Sequence, residues 1–195
     1  MKLIIASGNA GKIREIRAIL GNCFEEILSV REAGIFHETV EDGNTFLENA
    51  QKKAAEIAAL SGCAALADDS GLCVDALGGA PGIYSARFCG RHGDDDANNR
   101  LLVEKLSGVE NRRAHYACAM SIVFPDGRDK HAEGKLFGLI VEEPKGSGGF
   151  GYDPYFFLPE YGCTAAELSA DEKNRISHRA KALNDLLIQL KKDTM

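Results

Sequence analysis

Residues 3–12 read Leu-Ile-Ile-Ala-Ser-Gly-Asn-Ala-Gly-Lys, a short apolar run followed by a glycine-rich stretch. The apolar run 3–6 predicts a buried strand, and the glycines after it predict a tight turn. From Ile13 to Leu20, apolar residues recur at helical spacing, which predicts a helix. A strand, a glycine turn and a helix in this order are typical of an α/β protein.

Beyond this segment, helices and strands alternate along the chain. Further helices are predicted over residues 45–60 and 94–106, and a buried strand over residues 64–67. Residues 114–124 and 130–141 predict two long antiparallel strands joined by a proline and glycine turn. The predicted sheet is therefore mixed.

The length, composition and charge limit the class of protein. The chain has 195 residues, of which 45% are hydrophobic and 27% are charged, and these values predict one globular domain rather than a disordered chain or a coiled coil. The formal net charge of −6 repels nucleic-acid phosphates and anionic membrane surfaces. The apolar run 3–6 is too short for a signal peptide, and no stretch approaches the roughly 20 apolar residues that cross a bilayer. We predict a cytoplasmic protein that binds neither nucleic acid nor membrane.

Residues 7–12, Ser-Gly-Asn-Ala-Gly-Lys, form a candidate phosphate site. Backbone N–H groups at the beginning of a helix and a lysine both attract phosphate. The segment lacks the spacing of a Walker motif. A plain strand-to-helix turn with a surface lysine is an equal alternative.

Acidic residues form a candidate metal site. Asp68 and Asp69 directly follow the predicted strand 64–67, and Glu41 lies in an acidic loop. Carboxylates suit hard cations such as Mg²⁺, and adjacent carboxylates repel one another unless a cation offsets the repulsion. Neighbours in a strand point to opposite faces, so Asp68 and Asp69 share one ion only if the chain turns between them, as Ser70-Gly71 permits. The alternative is an acidic turn capped by Ser70.

Residues 146–153, Gly-Ser-Gly-Gly-Phe-Gly-Tyr-Asp, are a candidate base-binding loop. A flat ring can stack on Phe150 or Tyr152. Alternatively, the aromatic side chains of a mobile loop fill a core.

Basic residues near the C-terminus are candidate nucleotide contacts. Ser169 and Glu172 fit a capping box, and a helical apolar stripe continues towards the C-terminus. On one straight helix Lys173 and His178 would point about 140° apart. Contact of both with one ligand therefore requires a break near Ser177 or an extended ligand, and the alternative is an exposed basic helix face.

Together these segments resemble the noncanonical purine NTP pyrophosphatase family, also called the inosine/xanthosine triphosphate pyrophosphatases. The resemblance covers essentially the whole chain. It is carried by the blocks SGNAGK (7–12), EDGNTFLENA (41–50), ADDSGLCVDALGGAPGIYSAR (67–87), GGFGYDPYF (148–156) and AELSADEKNRISHRAKAL (166–183).

The resemblance implies a fold, a reaction and an assembly. The fold is a two-lobed α/β protein with an elongated mixed β-sheet, flanking helices and a central nucleotide cleft, forming a single pyrophosphatase domain over residues 1–195. The reaction is the hydrolysis of ITP, dITP and XTP to monophosphate and pyrophosphate, which prevents their incorporation into DNA and RNA. Mg²⁺ is the implied cofactor, and a homodimer the implied assembly.

The same resemblance assigns roles to residues at matching positions. The triphosphate would be held by Ser7, Gly8, Asn9, Ala10, Gly11 and Lys12. Asp69 would accept the proton, Ser70 would line the same site, and the metal would be held by Glu41, Asp68 and Asp69. The base would be clasped by Phe150, Gly151, Tyr152 and Asp153. Further nucleotide contacts, including recognition of the purine oxygen, would come from Lys173, His178 and Arg179.

Two other functions use the same residues. One is a metal-dependent hydrolase of other modified nucleotides, which shares the acids and the lysines. The other is a catalytically idle sensor of purine nucleotides, which would not need Asp69. A panel of triphosphates with product analysis separates these functions.

Overall fold

Strands and helices cover most of residues 1–192, the part of the chain that the computed structural model describes. The strands are β1 (Lys2–Ile5), β2 (Glu26–Ser29), β3 (Ala64–Val74), β4 (Arg113–Val123), β5 (Asp129–Ile140), β6 (Phe156–Leu158) and β7 (Cys163–Thr164). The α-helices are α1 (Ala10–Leu20), α2 (Phe46–Ser61), α3 (Asp95–Lys105), α4 (Ala170–Ile176) and α5 (His178–Lys192). Short 3-10 helices cover Asp75–Leu77, Gly82–Arg87 and Asp153–Tyr155.

The strands form one sheet in the order β2-β1-β3-β4-β5-β6-β7. β1 pairs in parallel with β2 and with β3. β6 pairs antiparallel with β5 and with β7. The predicted mixed sheet is therefore confirmed.

Helices pack on both faces of β1 and β3. Leu3 and Ile5 of β1 belong to the core that includes α1 and α5, whereas Ile4 belongs to the core that includes α2. This division follows from the alternation of side chains along a strand. The α1 and α5 side chains in the first core are Ile16, Leu20, Ala182, Leu183 and Leu186. The α2 side chains in the second core are Ala54, Ile57 and Ala58. The predicted α/β class with flanking helices is thus confirmed.

Contacts between residues divide the chain into two compact units. The first unit comprises residues 1–69, 118–134 and 178–192, and the second comprises residues 70–117 and 135–177. The second unit has its own apolar core, in which α3 packs on strand residues. Its most buried members are Leu72, Val74, Leu102, Leu106 and Phe156. One pyrophosphatase domain of two lobes around a central cleft remains a prediction.

Within residues 1–192, none of the helices combines the length and the hydropathy that crossing a lipid bilayer requires.

The predicted helices and long strands are confirmed, with small differences at their ends. Thr45 and Asp94, predicted as first helical residues, are instead the caps of α2 and α3. The Thr45 hydroxyl accepts the N–H of Glu48, and the Asp94 carboxylate accepts the N–H of Ala97. Such side-chain acceptors satisfy N–H groups that lack a partner within the helix.

The predicted helix break near Ser177 is confirmed. The capping box of Ser169 and Glu172 begins α4, and α4 ends where Ser177 adopts an extended conformation with φ −62° and ψ 156°. α5 begins at the next residue. Lys173 and His178 therefore belong to different helices, and the angle between them on one straight helix does not apply.

The turn that would let Asp68 and Asp69 share one ion is not present, because β3 continues through Ser70 and Gly71 to Val74. The absence of a side chain at Gly71 instead allows Gly82 and Ser85 to lie close to the strand. A Cβ atom on Gly71 would lie 2.3 Å from the carbonyl oxygen of Gly82 and 2.4 Å from Oγ of Ser85. Since the strand is uninterrupted, Asp68 and Asp69 point to opposite faces of the sheet.

Asp68 lies in a buried charge cluster with residues of α1 and α5. Its carboxylate accepts hydrogen bonds from Nε and Nη2 of Arg179 at 3.3 and 3.1 Å, and Nζ of Lys12 lies 3.1 Å away. Nη1 of Arg179 also donates to Glu15 of α1. Burial acts to raise the pKa of Asp68, but the charges of Lys12, Arg179 and Lys53 outweigh it and hold that pKa well below its usual range. The cluster ties β3 to both helices.

Loss of the Asp68 carboxylate should destabilise the fold strongly. Asp68→Ala leaves Arg179 buried with one carboxylate partner fewer, and removal of one partner of a buried pair costs about 3–5 kcal/mol. Urea unfolding in the presence of chelator measures the free energy of unfolding. The control is Asp126→Ala, whose carboxylate pairs with Arg128 while both side chains are more than half exposed, so it should cost less than about 1 kcal/mol.

The effect of Asp68→Ala should also depend on pH. The pKa of Asp68 is lower in the folded state than in the unfolded chain, where it is about 3.9. Its contribution is therefore complete above that value and is lost as the pH falls towards the folded-state pKa. If Asp68→Ala and Asp126→Ala lowered the free energy of unfolding equally, the cluster would not stabilise the fold. A loss in Asp68→Ala that did not change with pH would show the same.

Candidate active site

The glycine-rich segment 7–12 links β1 to α1 in the first unit, and its last three residues form the beginning of α1. Asn9 caps α1, and its side-chain oxygen accepts the N–H of Lys12 at 3.0 Å. The N–H of Asn9 itself donates to Oγ of Ser7. The side chain of Lys12 is only 17% exposed and reaches Asp68. The alternative of a surface lysine is therefore excluded.

Asp69 faces α2, where Asn49 and Lys53 lie one turn apart. Nδ2 of Asn49 donates to Oδ2 of Asp69 at 3.0 Å. Nζ of Lys53 lies 3.8 Å from Oδ1 of Asp69 and 2.6 Å from Oε1 of Glu41. Glu41 and Asp69 therefore both lie beside the ammonium group of Lys53. Asp68 instead contacts Lys12 and Arg179.

Burial is the main influence on the pKa of Asp69. It raises that pKa, and the negative charge of Glu41 adds to the effect, whereas Lys53, Lys12 and Asn49 oppose it. Burial also acts on Lys53, but the nearby carboxylates outweigh it and raise the pKa of Lys53. The ammonium group of Lys53 therefore stays charged beside the two carboxylates.

The carboxylates of Glu41 and Asp69 fit a small hard cation. Within residues 1–192, no three His, Cys, Asp or Glu side chains are grouped to hold a metal. Glu41 and Asp69 nevertheless converge on one position of positive charge, that of Lys53 Nζ. Mg²⁺ is commonly bound by one or two carboxylates together with substrate phosphates and water. Asp68 is not placed with these two, because it points to the other face of β3.

In the second unit, Asp153 joins the glycine-rich loop to α4. Asp153 is 2% exposed, and its carboxylate accepts from Nζ of Lys173 at 2.6 Å, from the N–H of Phe150 at 2.9 Å and from the hydroxyl of Tyr116 at 3.2 Å. Nζ of Lys173 also lies 4.6 Å from the centre of the Phe150 ring. The predicted residues Phe150, Asp153 and Lys173 are thus in mutual contact.

Tyr152 does not offer a stacking surface. Its ring belongs to the core of the second unit at 5% exposure, and its hydroxyl donates to the carbonyl oxygen of Ser85. These contacts fit the interpretation of Tyr152 as a core residue and lend no support to its predicted stacking on a base. Phe150 is partly buried and remains the stacking candidate.

The loop residue Gly151 is held by two α3 side chains that the sequence did not indicate. Its N–H donates to the carboxylate of Asp95 at 2.9 Å, and its carbonyl oxygen accepts from Nδ2 of Asn99 at 3.0 Å. Asp95 and Asn99 are four residues apart and so lie on one face of α3. Both polar groups of the Gly151 backbone are thereby fixed, which limits the movement of the neighbouring Phe150.

His178 and Arg179 are buried in the first unit, at 5% and 1% exposure. The alternative of an exposed basic face is therefore excluded for both. The guanidinium group of Arg179 is occupied by Asp68 and Glu15, and these contacts lend no support to its predicted role in reading the base. Ser70, in the second unit, is a partly buried residue of β3.

Asn49 and Lys53, like Asp95 and Asn99, are residues of the candidate site that sequence analysis missed. Although Lys53 carries a charge, its side chain is only 13% exposed. A spacing of four residues puts Asn49 and Lys53 on one side of α2. An amide and an ammonium group on one side of α2, next to the apolar stripe, could have indicated this site. The hydrophobic pattern alone could not.

Known proteins resemble the chain over almost its full length. The dITP/XTP pyrophosphatase of Desulforamulus reducens is 52% identical over 185 residues, covering 94% of this chain and 92% of that protein. The dITP/XTP pyrophosphatase of Clostridium perfringens is 50% identical over 198 residues, covering 97% of each. The structure of the Staphylococcus aureus Ham1 protein superimposes with a TM-score of 0.88 at 39% identity, covering 99% of this chain and 100% of that one.

A fourth comparison concerns the family as a whole. The model of the Ham1 family matches residues 3–189, which include every candidate site residue named above. The agreement in sequence, in fold and in length leads to one conclusion: this chain belongs to the Ham1 family.

Proposed function

We propose that this protein is a nucleoside triphosphate pyrophosphatase that hydrolyses dITP, ITP and XTP to the monophosphate and pyrophosphate. The observation that carries the proposal is the buried Asp69 carboxylate, which lies beside Glu41 and Lys53 in a chain whose relatives are named dITP/XTP pyrophosphatases. Removal of these nucleotides prevents their incorporation into DNA and RNA.

Asp69 would accept the proton of the attacking water. Burial raises the pKa of Asp69 above that of an ordinary aspartate, and a carboxylate with a higher pKa is a stronger base. The hydrogen bond from Asn49 to Oδ2 fixes the orientation of the group. The other oxygen, Oδ1, lies on the side of Lys53.

Glu41 and Asp69 would hold a Mg²⁺ ion, and the triphosphate and water would supply its other ligands. Bound there, Mg²⁺ would neutralise charge on the triphosphate and on the leaving pyrophosphate. Lys53 contacts the same two carboxylates, and its positive charge would also neutralise charge on the triphosphate and the pyrophosphate.

The first turn of α1 would bind the triphosphate. α1 has 11 residues, so the backbone N–H groups at its beginning and its dipole attract anions. Lys12 adds a charged donor whose position is set by Asp68. The segment from Ser7 to Gly11 would donate hydrogen bonds to the phosphate oxygens from its backbone N–H groups and from the Ser7 hydroxyl.

Phe150 and Lys173 would bind the purine base. The ring of Phe150 offers a stacking surface, and stacking on an aromatic ring is worth about 1–3 kcal/mol per base. Lys173, oriented by Asp153, would donate to the 6-oxygen of the purine. Adenine carries an amino group there, so the same donor would be left without an acceptor.

The remaining proposals concern the domain, the assembly and the location. We propose that residues 1–195 act as a single pyrophosphatase domain and that the protein is a homodimer, as the family resemblance implies. A cytoplasmic location, as predicted from the sequence, completes the proposal.

Removal of the proposed general base should abolish turnover. Asp69→Asn is isosteric but cannot accept the proton, so kcat for dITP should fall at least ~100-fold. Steady-state kinetics measure the loss, and the matched control is Asp126→Asn in an exposed turn. A folded Asp69→Asn variant with a near-normal kcat would remove Asp69 from the mechanism.

Activity should require a divalent cation that Glu41 helps to bind. EDTA should abolish hydrolysis of dITP, and Mg²⁺ should restore it. In Glu41→Gln the Mg²⁺ concentration for half-maximal activity should rise at least ~10-fold, the lower limit for changes around metal sites. The control is Glu38→Gln, an exposed acid of the same loop, and full activity in EDTA would contradict the metal proposal.

Selectivity for the 6-oxygen should depend on Lys173. The wild-type protein should prefer dITP to dATP by at least ~10³ in kcat/KM, because a donor that meets an amino group is left unpaired. Lys173→Met should reduce kcat/KM for dITP more than for dATP, whereas Lys145→Met, at an exposed loop position, should affect neither. An unchanged dITP/dATP ratio in Lys173→Met would assign Lys173 to the shared triphosphate instead.

A further inference from the structure

One buried amide, the side chain of Asn49, contacts both segments that carry the proposed metal ligands. Asn49 lies near the beginning of α2 and is 1% exposed. Its Nδ2 donates to Oδ2 of Asp69 in β3 at 3.0 Å. Its Oδ1 accepts the backbone N–H of Gly43 at 2.9 Å, and Gly43 lies two residues after Glu41.

Its partners allow the Asn49 amide only one orientation. The N–H of Gly43 can only donate and therefore requires the amide oxygen, whereas the carboxylate of Asp69 requires the NH₂ group. A flipped amide would set oxygen against carboxylate and NH₂ against N–H. The assignment of the two atoms thus follows from the partners themselves.

Gly43 is fitted to this contact by the absence of a side chain. A Cβ atom at residue 43 would lie 2.7 Å from Oδ1 of Asn49 and 2.9 Å from Cβ of Glu48. The neighbouring residue Asn44 is also anchored to α2, since its N–H donates to the Glu48 carboxylate at 2.7 Å. The end of the Glu41 loop, Gly43 and Asn44, therefore packs against the first turn of α2.

Asn49 and Lys53 contact the same two segments in different ways. Lys53, one turn later, reaches Glu41 and Asp69 with a charge that opposes the binding of another cation. The Asn49 amide is neutral and occupies Oδ2 of Asp69, so that Oδ1 is the oxygen on the Lys53 side. A neutral amide can fix geometry without repelling a metal ion.

We propose that Asn49 is a positioning residue, which sets Oδ1 of Asp69 and the Glu41 loop at the mutual placement that catalysis requires. This inference rests on the proposed function, because it assigns Glu41 and Asp69 to the reaction. Asn49 does not touch the substrate in this account. Its effect should therefore appear in kcat and in the rigidity of the loop rather than in nucleotide binding.

The test uses two variants that disturb the contact from opposite sides. Asn49→Ala removes the amide, and Gly43→Ala keeps it but introduces the Cβ that collides with it. Each should lower kcat for dITP at saturating Mg²⁺ at least ~10-fold, the lower limit for residues that orient metal ligands, while KM changes less than about 3-fold. Because both act on one contact, their effects in the double variant should be less than additive.

A second measurement needs neither substrate nor metal. Hydrogen exchange of the Gly43 amide in metal-free protein should be at least ~10-fold faster in Asn49→Ala than in the wild-type protein, since the buried acceptor is gone. The matched control is Asn44→Ala, whose side chain is exposed; its kcat and Gly43 exchange should remain at wild-type values. Gly43→Ala retains Asn49 and tests the placement if Asn49→Ala fails to fold.

The outcomes separate failure of this inference from failure of the proposed function. A folded Asn49→Ala variant with wild-type kcat and slow Gly43 exchange would overturn the positioning role while leaving the reaction intact. Equal losses of kcat in Asn49→Ala and Asn44→Ala would overturn it as well. If the wild-type protein does not hydrolyse dITP, the proposed function fails, and the positioning role in catalysis is overturned with it.

Discussion

The alternation of side chains along β3 is the constraint on which the rest of the candidate site depends. Because the strand runs without interruption from Ala64 to Val74, Asp68 and Asp69 must point to opposite faces of the sheet. Asp68 meets Arg179 and Lys12 on the face of α1 and α5, and Asp69 meets Asn49 and Lys53 on the face of α2. One strand thus gives two adjacent carboxylates separate roles.

The two environments shift the pKa values of these carboxylates in opposite directions. Positive partners hold the pKa of Asp68 low despite its burial, whereas burial prevails for Asp69 and raises its pKa. Titratable neighbours whose pKa values are driven apart are typical of acid and base assignments in enzymes. Asp68 accordingly stabilises the connection between strand and helices, and Asp69 is the group suited to accept a proton. The same division explains why Asp68 does not lie with Glu41 and Asp69 as a third carboxylate.

Hydrophobic periodicity and cap residues predicted the long elements well, because those signals are local. The capping box before α4 and the strands β4 and β5 follow from such patterns, whereas the break at Ser177 was one of two alternatives raised by the angle between Lys173 and His178. The short strands β2, β6 and β7 were missed, since two to four residues carry too little periodicity. At the candidate site, the sequence left open whether the chain turns at Ser70-Gly71, because only the fold shows that Gly82 approaches Gly71 closely. The core position of Tyr152 and the burial of Arg179 likewise depend on packing partners far along the chain.

The central claim is that the α2 face of β3 supports attack of water on a triphosphate, with release of pyrophosphate. Phosphorus NMR of the products formed from dITP in the presence of Mg²⁺ tests this claim most directly. Deoxyinosine monophosphate and pyrophosphate should form in equal amounts, without orthophosphate as an early product. Formation of deoxyinosine diphosphate with orthophosphate, or the absence of any turnover of dITP, would contradict it.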